Sequence, residues 1–371
     1  MAESLAVFCV LCFVTAFTMS MLLTIPAKKF AVKKGLISHP RDDRFHRKAI
    51  PMGGGIAIFF TMFILCISAA VFIKLLVHDG TTSLFGRNFE LYIQGFSHRT
   101  NELLIILGCT AVLFVLGLWD DFKNLKPIRK LAVEFAAAFT VAYFADVRME
   151  FFIDSKIYAA ALSSIWLVLI INVFNFLDNM DGASAGIAAI VAMIIFIVAT
   201  LSQQAFVACF SMMLAGTLTG FLIFNFHPAS IFMGDAGSLV IGFFIGMLTM
   251  KTTYYNEAAD IRWYIVLMPL VILAIPLYDF ISVTALRLHQ GKSPFVGDTQ
   301  HFSHRLKRRG LNEIQTVLML YLATITTGLG AVVLKEANWP YGLLVFLQTV
   351  MVLAIIAVLE STGNNDKKHT K

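Results

Sequence analysis

Long apolar runs alternate with short polar segments along the whole chain. A helix needs about 20 apolar residues to cross a hydrocarbon core about 30 Å thick. Runs of roughly this kind lie at 4–26, 52–77, 102–119, 130–147, 157–176, 183–201, 204–225, 238–252, 263–285, 314–334 and 342–360. Membrane β-barrel strands would instead alternate over segments of about ten residues. The pattern predicts an all-α polytopic membrane protein of about eleven transmembrane helices, or ten if the last run does not span. Composition agrees: 58% of residues are hydrophobic and 14% charged, against roughly 25% charged in soluble domains. The expected organisation is one integral-membrane domain over 1–371, with its core motifs between 26 and 310 and a basic tail at 361–371.

Charge supplies the orientation. The first run has no basic residues before it and no A-x-A cleavage site, and Lys28-Lys29 follows it. That reads as an anchor with its N-terminus outside, not as a cleaved signal peptide. Cations then concentrate in alternate loops: Lys28 to Lys48, then Lys123, Lys126 and Arg129, then Arg287 to Arg309, and the tail Lys367, Lys368 and Lys371. The intervening loops carry only scattered cations such as Arg87, Arg99, Arg148, Lys156 and Arg262. The positive-inside rule makes the first set, and the C-terminus, cytoplasmic. The net charge of +6 thus follows from topology, with an anionic ligand as a further contributor, and does not argue for nucleic acid. Cys9, Cys12, Cys66, Cys109 and Cys209 sit in apolar runs without metal-type spacing and read as small packing residues.

With this topology the polar clusters all fall on the cytoplasmic side. They are 38–55 ("SHPRDDRFHRKAIPMGGG"), 117–127 ("GLWDDFKNLKP"), 172–182 ("NVFNFLDNMDG"), 224–238 ("FNFHPASIFMGDAGS") and 293–310 ("SPFVGDTQHFSHRLKRRG"). An Asp at the centre of a span costs about 2.5–3.5 kcal/mol on insertion scales, so a cluster of this kind belongs at a water boundary. Asp120 and Asp121 end a span. Asn172, Asn175, Asp178 and Asp181 recur every three residues and would share one face of a helix end. Asp235 lies between glycines, where the backbone can bring a carboxylate close to a ligand. Hard oxygen ligands suit Mg²⁺ or Mn²⁺, and cations at 41–48 and 287–309 suit phosphate oxygens. Together these describe phosphoryl transfer at a membrane face.

Each feature also has a plain structural reading. Asp120 and Asp121 could cap a helix and pair with Lys123 or Lys126. Asp178 and Asp181 could form an ordinary polar turn, and Gly53-Gly54-Gly55 could allow close helix packing. Glu134 and Asp279 could be paired structurally, and Lys74 could snorkel outward. "GKS" at 291–293 lacks the upstream glycine of a Walker loop.

"DDFKN", "NVFNFLDNMDG", "FNFHPASIFMGDAGS" and "DTQHFSHR", in this order, resemble the motifs of the polyprenyl-phosphate N-acetylhexosamine-1-phosphate transferases, glycosyltransferase family 4. The chain is more similar to the WecA/TagO-like undecaprenyl-phosphate GlcNAc-1-phosphate transferases than to the phospho-MurNAc-pentapeptide translocases, whose triple-His segment it lacks. The resemblance implies a bacterial inner-membrane enzyme using Mg²⁺. Undecaprenyl phosphate would attack the sugar-linked phosphorus of a UDP-N-acetylhexosamine, releasing UMP and starting cell-envelope polysaccharide synthesis.

By motif position it implies Asp235 as principal metal ligand, with Asn175 or Asp120 completing the shell. Asp120 would be the base and Asp121 would assist. Asn172, Asp178, Asp181 and Asn225 would shape the nucleotide and diphosphate site. His301, His304 and Arg305 would face the diphosphate or sugar, and Lys130, Arg44 and His46 the lipid phosphate. The family's H-x-H-H reads His301-Phe302-Ser303-His304, which replaces an imidazole by a hydroxyl. Its early D-x-P-x-x-R-K-x-H has Ser38 for the Asp, Asp43 for the Arg and Arg44 for the Lys. GalNAc and phospho-MurNAc-pentapeptide donors stay open alternatives, as does a homodimer. An ion-coupled secondary transporter would require repeats and midplane polar sites, and neither is visible.

Overall fold

The computed structural model describes residues 2–38, 49–78, 99–149, 154–252, 263–293 and 301–361. Arg44 and His46 lie outside them. The described chain is helical apart from a short antiparallel pair, β1 (Ile37–Ser38) and β2 (Ile50–Pro51). The helices are α1 (Ala2–Lys33), α2 (Gly54–His78), α3 (Thr100–Lys123), α4 (Pro127–Phe144), α5 (Lys156–Leu177), α6 (Ala183–Leu201), α7 (Ala205–Asn225) and α8 (Asp235–Lys251). A 3₁₀ turn at Trp263–Leu267 leads to α9 (Met268–Ile272) and α10 (Ala274–His289), followed by α11 (Phe302–Lys307), α12 (Glu313–Glu336) and α13 (Trp339–Ser361).

Among the described residues, eight helices are long and apolar enough to span: α1, α2, α3, α5, α6, α7, α12 and α13. A ninth span forms if the pair Tyr264–Ile272 and Ala274–His289, bent by 72°, counts as one. Pro276 accounts for the bend, because it cannot donate to the carbonyl four residues back. The other two of the eleven expected spans are also helices. However, α4 carries Arg129, Lys130 and Glu134 in its first two turns, and α8 is only 17 residues long.

That short helix is the centre of the bundle. Residues Ala236 to Thr249 of α8 are buried, packed against α5, α3, α2 and α6. Small residues permit the close approach expected of membrane helices. A Cβ on Gly242 of α8 would lie 2.6 Å from Ile171 Cα of α5. On α7, Cβ atoms at Gly216 and Gly220 would meet the Phe13 and Phe17 carbonyls of α1 at 2.3 and 2.4 Å, and Ser20 donates to the Thr217 carbonyl at 2.7 Å. The outer faces are apolar: Val7, Leu11 and Leu22 on α1 and Leu343, Leu347 and Val350 on α13 are exposed. Such continuous apolar surface calls for lipid. The chain is a multi-pass membrane protein.

The segment before α2 is stitched to the loop before α8. Met52 bridges Phe232, and the Gly53 and Gly54 amides donate to the Phe232 carbonyl at 3.1 and 2.9 Å. A Cβ on Gly55 would lie 2.3 Å from the Gly237 nitrogen, so the triple glycine serves close packing.

Candidate active site

The polar residues meet where α3, α5 and α7 end and α4, α8 and α12 begin. Asp235 opens α8, and Gly234 before it has φ of 73°, a left-handed turn that glycine tolerates. Its missing side chain also matters, because a Cβ there would sit 2.7 Å from Asp121 Oδ2. Asp121, at the end of α3, occupies that space. It accepts the Asp235 amide on Oδ1 at 2.7 Å and the Ala236 amide on Oδ2 at 3.1 Å. A helix start has orphan N–H groups and positive partial charge, and Asp121 supplies a cap from a different helix. The plain capping reading of Asp121 therefore holds, although the helix capped is α8 and not its own.

Asp120 faces elsewhere. Its Oδ1 accepts the Leu125 amide at 2.5 Å and its Oδ2 accepts Lys130 Nζ at 3.0 Å. Lys130 also donates to Asp235 Oδ2. Asn175 Nδ2 donates to Asp235 Oδ1 at 3.1 Å and to Ser238 Oγ at 2.9 Å. Asp120, Lys130, Asp235 and Asn175, predicted from separate motifs, are thus brought into one cluster. Lys130 is 12% exposed and Asp120 14%, while Asp235 at 32% is the open member.

The three-residue period from Asn172 to Asp181 does not point every residue into that cluster. Helix α5 stops at Leu177, so the shared helical face ends there. Asn172 donates to Glu134 Oε2 at 2.7 Å and to the Val168 carbonyl at 2.9 Å. Asp178 is the C-cap of α5. Asp181 lies in the following turn, where its Oδ2 accepts the Ala229 amide and contacts His227 Nδ1, each at 3.0 Å. Asn225 is spent on backbone: its Oδ1 accepts the Gly182 amide at 3.2 Å and its Nδ2 donates to the Ile231 carbonyl at 3.0 Å.

The last motif closes over the end of α5. His301 is buried, its Nδ1 3.1 Å from Asp279 Oδ2 and its ring edge against Phe176. Ser303 donates to Asn179 Oδ1 at 2.5 Å, so the hydroxyl in the imidazole position ties α11 to the Asn172–Gly182 segment. Arg305 donates to Ser282 Oγ at 2.6 Å and pairs with Glu360 at 3.2 Å. It braces α11 against α10 and α13 instead of meeting the Asp235 cluster. His304 lies on α11.

Glu134, which the sequence offers as a structurally paired residue, is fully buried, and its Oε1 has no hydrogen-bond partner among the described residues. Three further residues at this end were not among the sequence candidates. Ser238 shares Asn175. His227 lies within the quoted 224–238 motif, yet only its contacts distinguish it. Glu313 contacts His227 Nδ1 at 2.8 Å, and nothing in its sequence neighbourhood signals that.

A helical membrane bundle that gathers carboxylates, an amide and a lysine at one end is suited to work on a charged substrate at the membrane face. The model of glycosyl transferase family 4 matches residues 103–253 of the chain. It is 26% identical over 97% of its length to a probable undecaprenyl-phosphate N-acetylglucosaminyl 1-phosphate transferase of Bacillus subtilis, covering 93% of that protein. It is 29% identical to a decaprenyl-phosphate N-acetylglucosaminephosphotransferase of Mycobacterium tuberculosis, over 85% of this chain and 80% of the relative. It is 26% identical to an undecaprenyl-phosphate alpha-N-acetylglucosaminyl 1-phosphate transferase of Salmonella typhi, over 85% and 82%. The relatives are phosphoglycosyltransferases, and the likeness supports a transferase.

Proposed function

We propose that the protein transfers GlcNAc-1-phosphate from UDP-GlcNAc to undecaprenyl phosphate, releasing UMP, at the cytoplasmic face of the bacterial inner membrane. The relatives' names support the sugar and the polyprenyl carrier. The observation that carries the reading is Lys130 held between Asp120 and Asp235. An ammonium already occupies the meeting point of two carboxylates, and that place suits a divalent ion. The donor set fits Mg²⁺: carboxylate oxygens from Asp235 and Asp120 are hard ligands, with water and phosphate expected in the remaining positions, and Asn175 would add its amide oxygen only by turning its Nδ2 away from Asp235. Bound there, Mg²⁺ supplies charge neutralisation for the diphosphate.

The protein groups divide the rest of the work. Asp120 accepts the proton of the lipid phosphate monoester. Lys130, released from its carboxylates, holds a phosphate oxygen. A lipid phosphate oxygen bonds to the sugar-linked phosphorus as the bond from that phosphorus to UMP breaks. Asp121 fixes Asp235 in position without touching substrate. His301, Asp178 and Asp181 line the donor side, and the motif resemblance would assign His304 to the diphosphate or sugar and Arg44 and His46 to the lipid phosphate. The whole of 1–371 acts as one domain.

The test is UMP release by purified protein in detergent. Undecaprenyl and decaprenyl phosphate are supplied as acceptors. UDP-GlcNAc, UDP-GalNAc and UDP-MurNAc-pentapeptide are supplied as donors, with Mg²⁺ or with chelator. Release that requires lipid, Mg²⁺ and UDP-GlcNAc is expected. Folded protein that releases no UMP from any donor would overturn the reading.

A further inference from the structure

Asp181, His227 and Glu313 converge from the turn after α5, the loop before α8 and the first residue of α12. One ligand atom from each lies within 4.8 Å of the others. We propose that they form a second divalent-cation site, distinct in its ligands from the oxygen cluster at Asp235 and selective for Mn²⁺ or Zn²⁺ over Mg²⁺.

The geometry around the imidazole carries this. His227 Nδ1 lies 3.0 Å from Asp181 Oδ2 and 2.8 Å from Glu313 Oε2. One ring nitrogen has at most one proton, so it cannot give both carboxylates a full hydrogen bond. The spacing also matches a coordination shell: with bonds of about 2.1 Å, adjacent ligands of an octahedral ion stand about 3.0 Å apart. Two oxygens and an imidazole nitrogen leave the remaining positions for water. This donor set favours transition ions, because imidazole suits zinc and its neighbours while Mg²⁺ prefers oxygen.

Charge and second contacts are compatible. Lys307 Nζ holds the other carboxylate oxygen, Glu313 Oε1, at 2.6 Å and leaves Oε2 to face the site. The Ala229 amide orients Asp181. Two carboxylates, one ammonium and a neutral imidazole sum to one negative charge, which a divalent ion converts to one positive. The residues are partly open, at 13% for Asp181, 34% for His227 and 17% for Glu313, so an ion can enter. An ion here would pin α12 to the segment that also carries Asn175 and Asp178, so its effect would reach the transfer site through α5. The proposal itself does not depend on the transferase reading.

The test is Mn²⁺ spectroscopy on the full-length, tag-free protein, stripped with chelator and reloaded. Electron spin-echo modulation reports a directly bound imidazole nitrogen, which the Asp235 cluster cannot supply. Imidazole modulation is expected in the wild type. It should vanish in His227→Gln while oxygen-ligated Mn²⁺ remains, and Glu313→Gln should weaken this class of binding about tenfold or more. Bound Mn²⁺ without imidazole modulation in the wild type would overturn the proposal, as would modulation that persists in His227→Gln. If a variant fails to fold by size exclusion, the wild-type spectrum alone decides. UMP release is scored separately, so loss of one reading leaves the other standing.

Discussion

Asp121 separates a capping role from a chemical one most cleanly. Asp121→Ala removes two charge-assisted bonds, to the Asp235 amide at 2.7 Å and the Ala236 amide at 3.1 Å. Hydrogen bonds to a charged group contribute about 1.5–3 kcal/mol each, so loss of both is bounded near 3–6 kcal/mol. Ordinary N-cap deletions cost about 0.5–2 kcal/mol, because water replaces the cap. Here Ala236 is buried, so rehydration is restricted and about 3 kcal/mol is the working figure. Asp121→Asn keeps one acceptor oxygen but turns an amide NH₂ toward the second N–H, so about half of that loss is expected. The assay is thermal unfolding in detergent beside UMP release over a Mg²⁺ titration. Alanine should lower the melting temperature more than asparagine. Both should raise the Mg²⁺ requirement, because Asp235 loses its backbone anchor. If Asp121→Ala melts with the wild type while turnover collapses, the capping account is wrong and Asp121 acts on the substrate.

Two further outcomes follow from named contacts. Lys130→Met leaves Asp120 and Asp235 facing each other without a cation. Stability should fall by about 2–3 kcal/mol in a chelator melt, less than the about 3–5 kcal/mol of a fully buried broken pair, because Asp235 is 32% exposed. Added Mg²⁺ should restore part of it, and a melt unchanged by both substitution and Mg²⁺ would refute the cluster. In the membrane, Cys9 of α1 and Cys209 of α7 have Sγ atoms 3.7 Å apart. Copper-phenanthroline oxidation should therefore join peptides containing these two residues, visible in a non-reducing digest. A cross-link from Cys66 or Cys109 instead would show that the α1–α7 register is wrong.

What the sequence reveals and what it conceals divide along one physical line. Apolar runs, charge bias and motif order report properties that each segment has by itself, so the helical membrane class and the meeting of Asp120, Lys130, Asn175 and Asp235 at one end were legible. Partner choice is a property of pairs. Asp120 and Asp121 are adjacent and chemically identical, yet one faces Lys130 and the other the start of α8. The period from Asn172 to Asp181 looks uniform, but it spans the point where α5 stops, and its members reach Glu134, Asp235 and His227 in turn. Enclosure follows the same line. Helix α8, only 17 residues long, is buried along nearly its whole length because neighbouring helices surround it, and the glycines that admit them read in sequence only as small residues. Cys9 and Cys209, about 200 residues apart, read singly as packing residues, and only the α1–α7 crossing makes them neighbours. The functional candidates that sequence missed, His227 and Glu313, are those whose chemistry exists only through such a meeting: neither is unusual until Asp181 stands beside both.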